Sequence, residues 1–198
     1  IRIIDIKTKK SKYLSFNETN SSIKQINEQN FGSKYLYFTY SSLKISKKTY
    51  QYDMNKNNLE LYNSDSISSY ISDNYTTEKV FAKTHDGLSI PISLVYKKSL
   101  IKENNLMLLE VPNDNSKFNF SKERLSLLDR GFIYAIAHIR GSSDLENDWL
   151  EEGKSLKKRN AFYDFLTVSE YLINNKYTTP QKLAISGKGF GGLVVNTV

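Results

Sequence analysis

The sequence predicts an α/β protein in which a short all-β segment precedes a parallel sheet with flanking helices. Three observations predict it. After about residue 100, apolar runs of strand length alternate with helix-period patterns. Between Tyr35 and Tyr62 the apolar period is two, and the apolar positions are rich in tyrosine and phenylalanine. Near the end, an apolar strand runs into a glycine-dense turn that opens a helix.

The all-β part reads as Tyr35–Tyr40, Thr49–Met54 and Leu59–Tyr62, with Asn55-Lys56-Asn57-Asn58 as the last turn because asparagine tolerates positive φ. Short aromatic-rich strands of this kind resemble one β-propeller blade or a small meander. A blade cannot bury both faces alone, so neighbouring blades are expected. A polar stretch from Asn63 to Thr77 follows. A hairpin is then expected, with strands Lys79–Lys83 and Leu88–Tyr96 and the turn His85-Asp86-Gly87.

Beyond it, Leu106–Val111 reads as a buried strand, and Ser121 caps a helix carrying Leu125, Leu127 and Leu128 that ends at Arg130-Gly131. Phe132–Ile139 is a second buried strand. The next helix is expected to bury Phe162, Phe165, Leu166, Ser169, Leu172 and Ile173 at 3/4 spacing. Lys182–Ser186 is the third. Strands separated by helices imply a parallel sheet covered on both faces. The expected division is residues 1–76, the terminal part of a propeller-like segment, and residues 77–198, the α/β part.

Composition narrows the chemistry. Apolar residues make up 39%, below the roughly 45–50% of ordinary domains, yet the periodic segments are clear. The 28 basic and 21 acidic residues leave a net charge of +7. Lys7 to Lys12 and Lys157-Lys158-Arg159 are the densest basic runs. No nucleic-acid motif accompanies them, so they read as solvated surface charge, with neither nucleic acid nor membrane as partner. The absence of cysteine removes disulfides, thiolate nucleophiles and zinc–thiolate sites. Two histidines are too few for a histidine metal site, and neither metal nor cofactor is expected. No apolar run approaches the roughly 18 residues that span a bilayer. With no signal-peptide pattern at Ile1-Arg2-Ile3-Ile4-Asp5, a cytoplasmic location is the expectation.

The glycine-dense turn is Ser186-Gly187-Lys188-Gly189-Phe190-Gly191-Gly192. It has the strand–turn–helix setting in which Gly-x-Ser-x-Gly holds a hydrolase nucleophile. Here the middle position is Gly189, which has no side chain.

Four stretches in order carry a resemblance. They are His85-Asp86-Gly87-Leu88 through Tyr96; Arg124-Leu125-Ser126-Leu127-Leu128-Asp129-Arg130-Gly131-Phe132; Ala137-His138-Ile139-Arg140-Gly141; and Trp149-Leu150-Glu151-Glu152-Gly153-Lys154, with Lys158 and Phe162-Tyr163-Asp164-Phe165 behind it. From about Phe31 to Val198 the chain resembles the prolyl oligopeptidase family of serine peptidases, most closely its oligopeptidase B branch.

The resemblance implies a β-propeller capping an α/β-hydrolase domain, of which this chain would hold a partial one. It implies hydrolysis of short peptides, after Arg or Lys in that branch, without a cofactor. It puts the nucleophilic serine where Gly189 stands and an oxyanion-binding backbone N–H at Phe190, with Gly187, Gly191 and Gly192 forming the elbow turn. The oxyanion-hole tyrosine would fall near Val111, in Glu110-Val111-Pro112-Asn113-Asp114, which lacks the family's glycines. Arg140-Gly141-Ser142-Ser143-Asp144 departs from the pattern Arg-Gly-Gly-Gly-Glu, and Arg140 is the candidate site-lining residue. The triad aspartate and histidine follow the serine in chain order, and the sequence stops nine residues after Gly189.

Acyl transfer needs a hydroxyl, a base and oxyanion donors. Ser186, Ser142 and Ser143 are not read as substitutes for the missing serine. His138 reads as a satisfied core histidine, His85 as a turn residue, Glu151 and Glu152 as solvated loop charge, and Trp149 as local packing. The expectation is a truncated, inactive remnant of an oligopeptidase B-type peptidase. The alternatives are a non-catalytic peptide-binding or regulatory module that captures short basic peptides, or one piece of a split peptidase paired with a complementary fragment.

Overall fold

The structure is a computed structural model. It describes residues 1–198 apart from 19, 27–29, 31, 66, 68–69, 101–102, 113–118, 143–144 and 146. A two-stranded hairpin opens the chain, β1 (Arg2–Ile4) against β2 (Ser11–Tyr13). Next come β3 (Ser21–Gln25), β4 (Tyr35–Ser42), β5 (Lys48–Asp53) and β6 (Asn58–Ser64), which form an antiparallel four-stranded sheet in chain order. The turn between β5 and β6 closes through Asn57 at φ 53° and through Asp53, whose carboxylate accepts from the N–H groups of Asn55 and Lys56. Leu14, Phe38 and Tyr52 make a small core on one face, with Phe16 stacked on Tyr40 at 4.4 Å.

The second sheet contains β7 (Tyr75–Lys83), β8 (Ser89–Lys97), β9 (Met107–Val111), β10 (Ile133–Ala137) and β11 (Leu183–Gly187), in the order β11-β9-β10-β8-β7. The three strands expected to be parallel are parallel: β9 lies between β10 and β11. The hairpin joins the same sheet, with β8 antiparallel to both β7 and β10. The sheet is therefore mixed rather than parallel throughout. The reason is legible in β8, where residues 90–96 are buried on both faces. Such a strand has to lie inside a sheet.

Helices α1 (Lys122–Leu128), α2 (Asn147–Glu151), α3 (Lys158–Asn174) and α4 (Phe190–Thr197) complete the fold. Ser121 caps α1 by accepting from the Arg124 N–H, and Gly131 turns the chain back at φ 85°. The period of two along β10 sorts the core. Ile133, Ala135 and Ala137 pack with Ala161, Phe165, Val168 and Leu172 of α3 and with Val194 of α4. Tyr134 and Ile136 pack with Leu128 of α1, Tyr75, and Leu43 from the loop after β4. Leu43 thus ties the four-stranded sheet into the core of the five-stranded one.

The buried stripe of α3 differs from the expected face. It runs Ala161, Asp164, Phe165, Val168 and Leu172, while Leu166 is 42% exposed and Phe162, Ser169 and Ile173 are half-buried. The helix is turned so that small Ala161 lies against the sheet and Asp164 reaches an arginine. Among the described residues no helix is long and apolar enough to cross a membrane.

Candidate active site

β11 and α4 meet in a turn only two residues long, Lys188-Gly189. Gly189 has φ 57° and ψ −120°, a combination that costs any residue with a Cβ. The flanking glycines are required by contact. A Cβ on Gly187 would lie 2.3 Å from the Gly191 carbonyl, one on Gly191 would lie 2.4 Å from the Val111 carbonyl oxygen, and one on Gly192 would crowd the Gly187 oxygen at 3.3 Å. The strand end, the helix start and the end of β9 are therefore packed backbone to backbone. Gly191 N–H donates to the Lys188 carbonyl and Leu193 N–H to the Gly189 carbonyl, fixing the first turn of α4. Residue 189 is exposed at the apex, and Phe190 supplies the first helical N–H.

The turn after β10 reaches this elbow. A Cβ on Gly141 would sit 2.7 Å from Cζ of Phe190, and one on Gly153 would sit 2.1 Å from the Gly141 nitrogen. Both glycines are there so that the 140–141 turn fits between the loop after α2 and the Phe190 ring. Arg140 anchors the same turn. Its Nε and backbone N–H donate to Asp164 Oδ2 at 2.9 and 3.0 Å, Nη2 donates to Asp164 Oδ1 at 2.5 Å, and Nη1 donates to Asp86 Oδ2 at 2.7 Å.

Arg140 and Asp164 are buried, at 2% and 0% exposure. The bonds to Asp164, opposed by burial and seconded by Asp86, raise the guanidinium pKa above its ordinary value. The Thr84 hydroxyl, against the effect of burial and with help from Arg140, lowers the Asp86 carboxyl to about 2. The site-lining candidate Arg140 is thus placed as a brace inside the fold, its guanidinium committed to two carboxylates. Sequence reasoning missed Asp164. The available signal was an acid between Ala161 and Phe165 on the apolar stripe of α3, because a buried carboxylate needs a cation.

With the elbow defined, the relatives can be compared. Residues 118–198 match the sequence model of the Prolyl oligopeptidase family. The chain is 31% identical to dipeptidyl aminopeptidase BI of Pseudoxanthomonas mexicana, over 95% of its own length and 27% of that protein. It is 32% identical to a prolyl endopeptidase of Elizabethkingia meningoseptica, over 82% of its own length and 23% of that protein. The structure of oligopeptidase B from Trypanosoma brucei superposes with a TM-score of 0.86 at 33% identity, covering 95% of this chain and 28% of that one. The chain belongs to the prolyl oligopeptidase family.

It spans about a quarter of the length of the curated relatives it matches. In the frame of this family, the five-stranded sheet is a partial α/β-hydrolase fold and the four-stranded sheet is blade-like. The remaining candidates fall as follows. His138 is 1% exposed. Its Nε2 lies 2.7 Å from Oγ of Ser93, which also accepts from Nδ2 of Asn20, and its carbonyl accepts from Trp149 Nε1. It sits in a buried polar network that joins the blade-like part to β8 and β10. His85 lies in the exposed β7–β8 turn, its ring edge-on to Tyr163.

Ser142 is buried and donates to the Ile139 carbonyl at 2.7 Å. Ser186 is exposed on β11, paired opposite Glu110. Val111, near the expected tyrosine position, is buried under Gly191. Asn113, Asp114, Ser143 and Asp144 lie outside the described residues. Among the described residues no group of three histidine, cysteine, aspartate or glutamate side chains is gathered to hold a metal.

Proposed function

We propose that this chain is a prolyl-oligopeptidase-type peptidase scaffold that does not form an acyl-enzyme by itself. One observation carries the reading: Gly189 stands at the apex of a nucleophile elbow with φ 57° and ψ −120°, and it bears no hydroxyl. Where a triad serine is removed, the loss in kcat is on the order of 10⁶-fold. The backbone around the gap is kept, with Phe190 heading α4 as oxyanion donor and Gly187, Gly191 and Gly192 forming the turn. On this reading residues 1–76 are the terminal part of a propeller and residues 77–198 the first half of the hydrolase domain, with Arg140 supporting the site from behind. Relatives named as peptidases support the class, as does an oligopeptidase B structure with covalently bound antipain.

Labelling with a fluorophosphonate probe tests the reading. No adduct is expected on this chain, and a specific adduct on any of its serines would overturn it.

A second reading follows from the retention of the elbow and of the brace behind it. The scaffold binds short peptides, those ending in Arg or Lys by resemblance, without cleaving them. Calorimetric titration with such peptides separates the two: saturable binding without turnover favours capture, and no heat favours an idle scaffold.

A further inference from the structure

Two side chains from the loop between β2 and β3 reach out of the blade-like part into the five-stranded sheet. Glu18 Oε2 accepts from the Thr77 hydroxyl of β7 at 2.8 Å, and its Oε1 is paired with Lys44 Nζ at 2.9 Å. Asn20 goes deeper. Its Nδ2 donates to Oγ of Ser93, in the middle of β8, at 3.0 Å. Asn20 is 3% exposed and Ser93 0%. These contacts lie inside the chain, so they do not depend on which surfaces neighbouring blades cover.

The bonds run in one direction. A Ser93 hydroxyl that accepts from Asn20 keeps its own hydrogen to give, and Nε2 of His138 lies 2.7 Å away to take it. His138 directly follows β10; its N–H donates to the Pro91 carbonyl, and its carbonyl accepts from Trp149 Nε1. The Trp149 carbonyl in turn accepts from the Gly141 N–H at 3.0 Å. Gly141 is the residue that lies against the Phe190 ring. A buried network of this kind fixes one arrangement, because breaking a link strands its partners away from water.

We propose that Asn20 is a positioning residue. Through Ser93 and His138 it couples the blade-like part to the 140–141 turn, and through that turn to the backbone N–H of Phe190. The blade-like sheet and the elbow then move as one body. That the Phe190 end is where a peptide is held rests on the scaffold reading. The coupling itself is read from resonances and exchange, so a fluorophosphonate adduct would overturn that reading and leave the coupling untouched.

Trp149 is the sole tryptophan, so its indole N–H gives the far end of the network a resonance of its own. In Asn20→Ala that resonance and the Phe190 amide resonance are expected to move. Amide exchange at His138, Gly141 and Ser142, whose N–H groups bond to Pro91, Trp149 and Ile139, should quicken about tenfold, as for one hydrogen bond lost. Leu14→Ala thins the small core of the four-stranded sheet outside the network. It should destabilise the chain and leave both resonances in place. A folded Asn20→Ala whose resonances and exchange match the unaltered chain overturns the proposal. Equal movement in Leu14→Ala also overturns it, because any weakened blade would then have the same effect. Native-state exchange on the unaltered chain decides the matter even where neither variant folds. Amides of β4 and β5 should open within about tenfold of those at His138, Gly141 and Ser142. A larger gap, with the blade-like strands opening while the turn stays closed, overturns the coupling.

Discussion

The middle of the five-stranded sheet and its elbow end are built on different principles. In β8 and β10 nearly every side chain is buried, and the apolar sequence is held by helices on one face and by Leu43 and α1 on the other. β11 is as apolar as they are, yet Ala184, Ile185 and Ser186 are exposed, with Ile185 at 41%. What holds β11 is pairing to β9 on one side and glycine-to-backbone contact with α4. At the elbow the backbone position is set by contact, because the neighbours of Gly187 and Gly191 leave no room for a Cβ.

The largest expected effect breaks the brace that links the two regions. Asp164→Ala leaves the Arg140 guanidinium buried without its main partner, and a loss of roughly 3–5 kcal/mol is expected in denaturant unfolding. A loss below about 1 kcal/mol would show that the pair contributes little. Next come paired truncations. Leu109→Ala, in the buried middle, should cost about 2–5 kcal/mol, and Ile185→Ala, at the elbow end, about 1–1.5 kcal/mol. Equal costs would erase the distinction between burial and backbone contact.

Gly189→Ser sharpens the comparison from the functional side. A side chain at φ 57°, ψ −120° should cost about 1–3 kcal/mol, read as a lowered melting temperature. The restored hydroxyl should still give no fluorophosphonate adduct, because His138 is held in the core by Ser93 and His85 lies in the hairpin turn. Labelling of this variant would show that a base reaches residue 189.

The smallest effects are pH-linked. Asp86 is held down at about 2, chiefly by the Thr84 hydroxyl and then by Arg140. Its contribution to stability is therefore present above the ordinary carboxylate range near pH 4 and lost as the pH falls toward 2. Tyr75 is pushed up to about 12 by burial and by Asp129, so its contribution holds below about pH 10 and is lost as the pH rises through 12. Thermal melts across both windows check the signs. A melting temperature that is flat from pH 4 to 2 would contradict the Asp86 part.

Much of this was legible in the chain. The runs at 106–111, 132–139 and 182–186 announced three strands, because a strand covered on both faces has to be apolar throughout. Ser121 and Gly131 marked the ends of α1, because a cap oxygen and a positive φ are local requirements. The glycine-dense turn between β11 and α4 was legible in the glycines from Gly187 to Gly192, while the roles given to Phe190, Gly187, Gly191 and Gly192 came from the resemblance. The face of α3 was not, because Leu166 is as apolar as Phe165, and only the position of the sheet and of Arg140 decides which is buried. Nor did the hairpin residues say that β8 would pair with β10.

The sequence by itself determined that residue 189 has no nucleophile, since the composition of a side chain needs no fold to be read. Through periodicity it also determined the order of the elements from β4 to α4 apart from α2, but not the strands β1, β2 and β3. Only the tertiary structure decided that Gly189 keeps the elbow conformation, that Arg140 turns inward to Asp164 and Asp86, and that His138 closes a network with Ser93 and Asn20. Those outcomes depend on groups 45 or more residues apart, or 24 in the Arg140–Asp164 pair, which come together only when the sheet assembles.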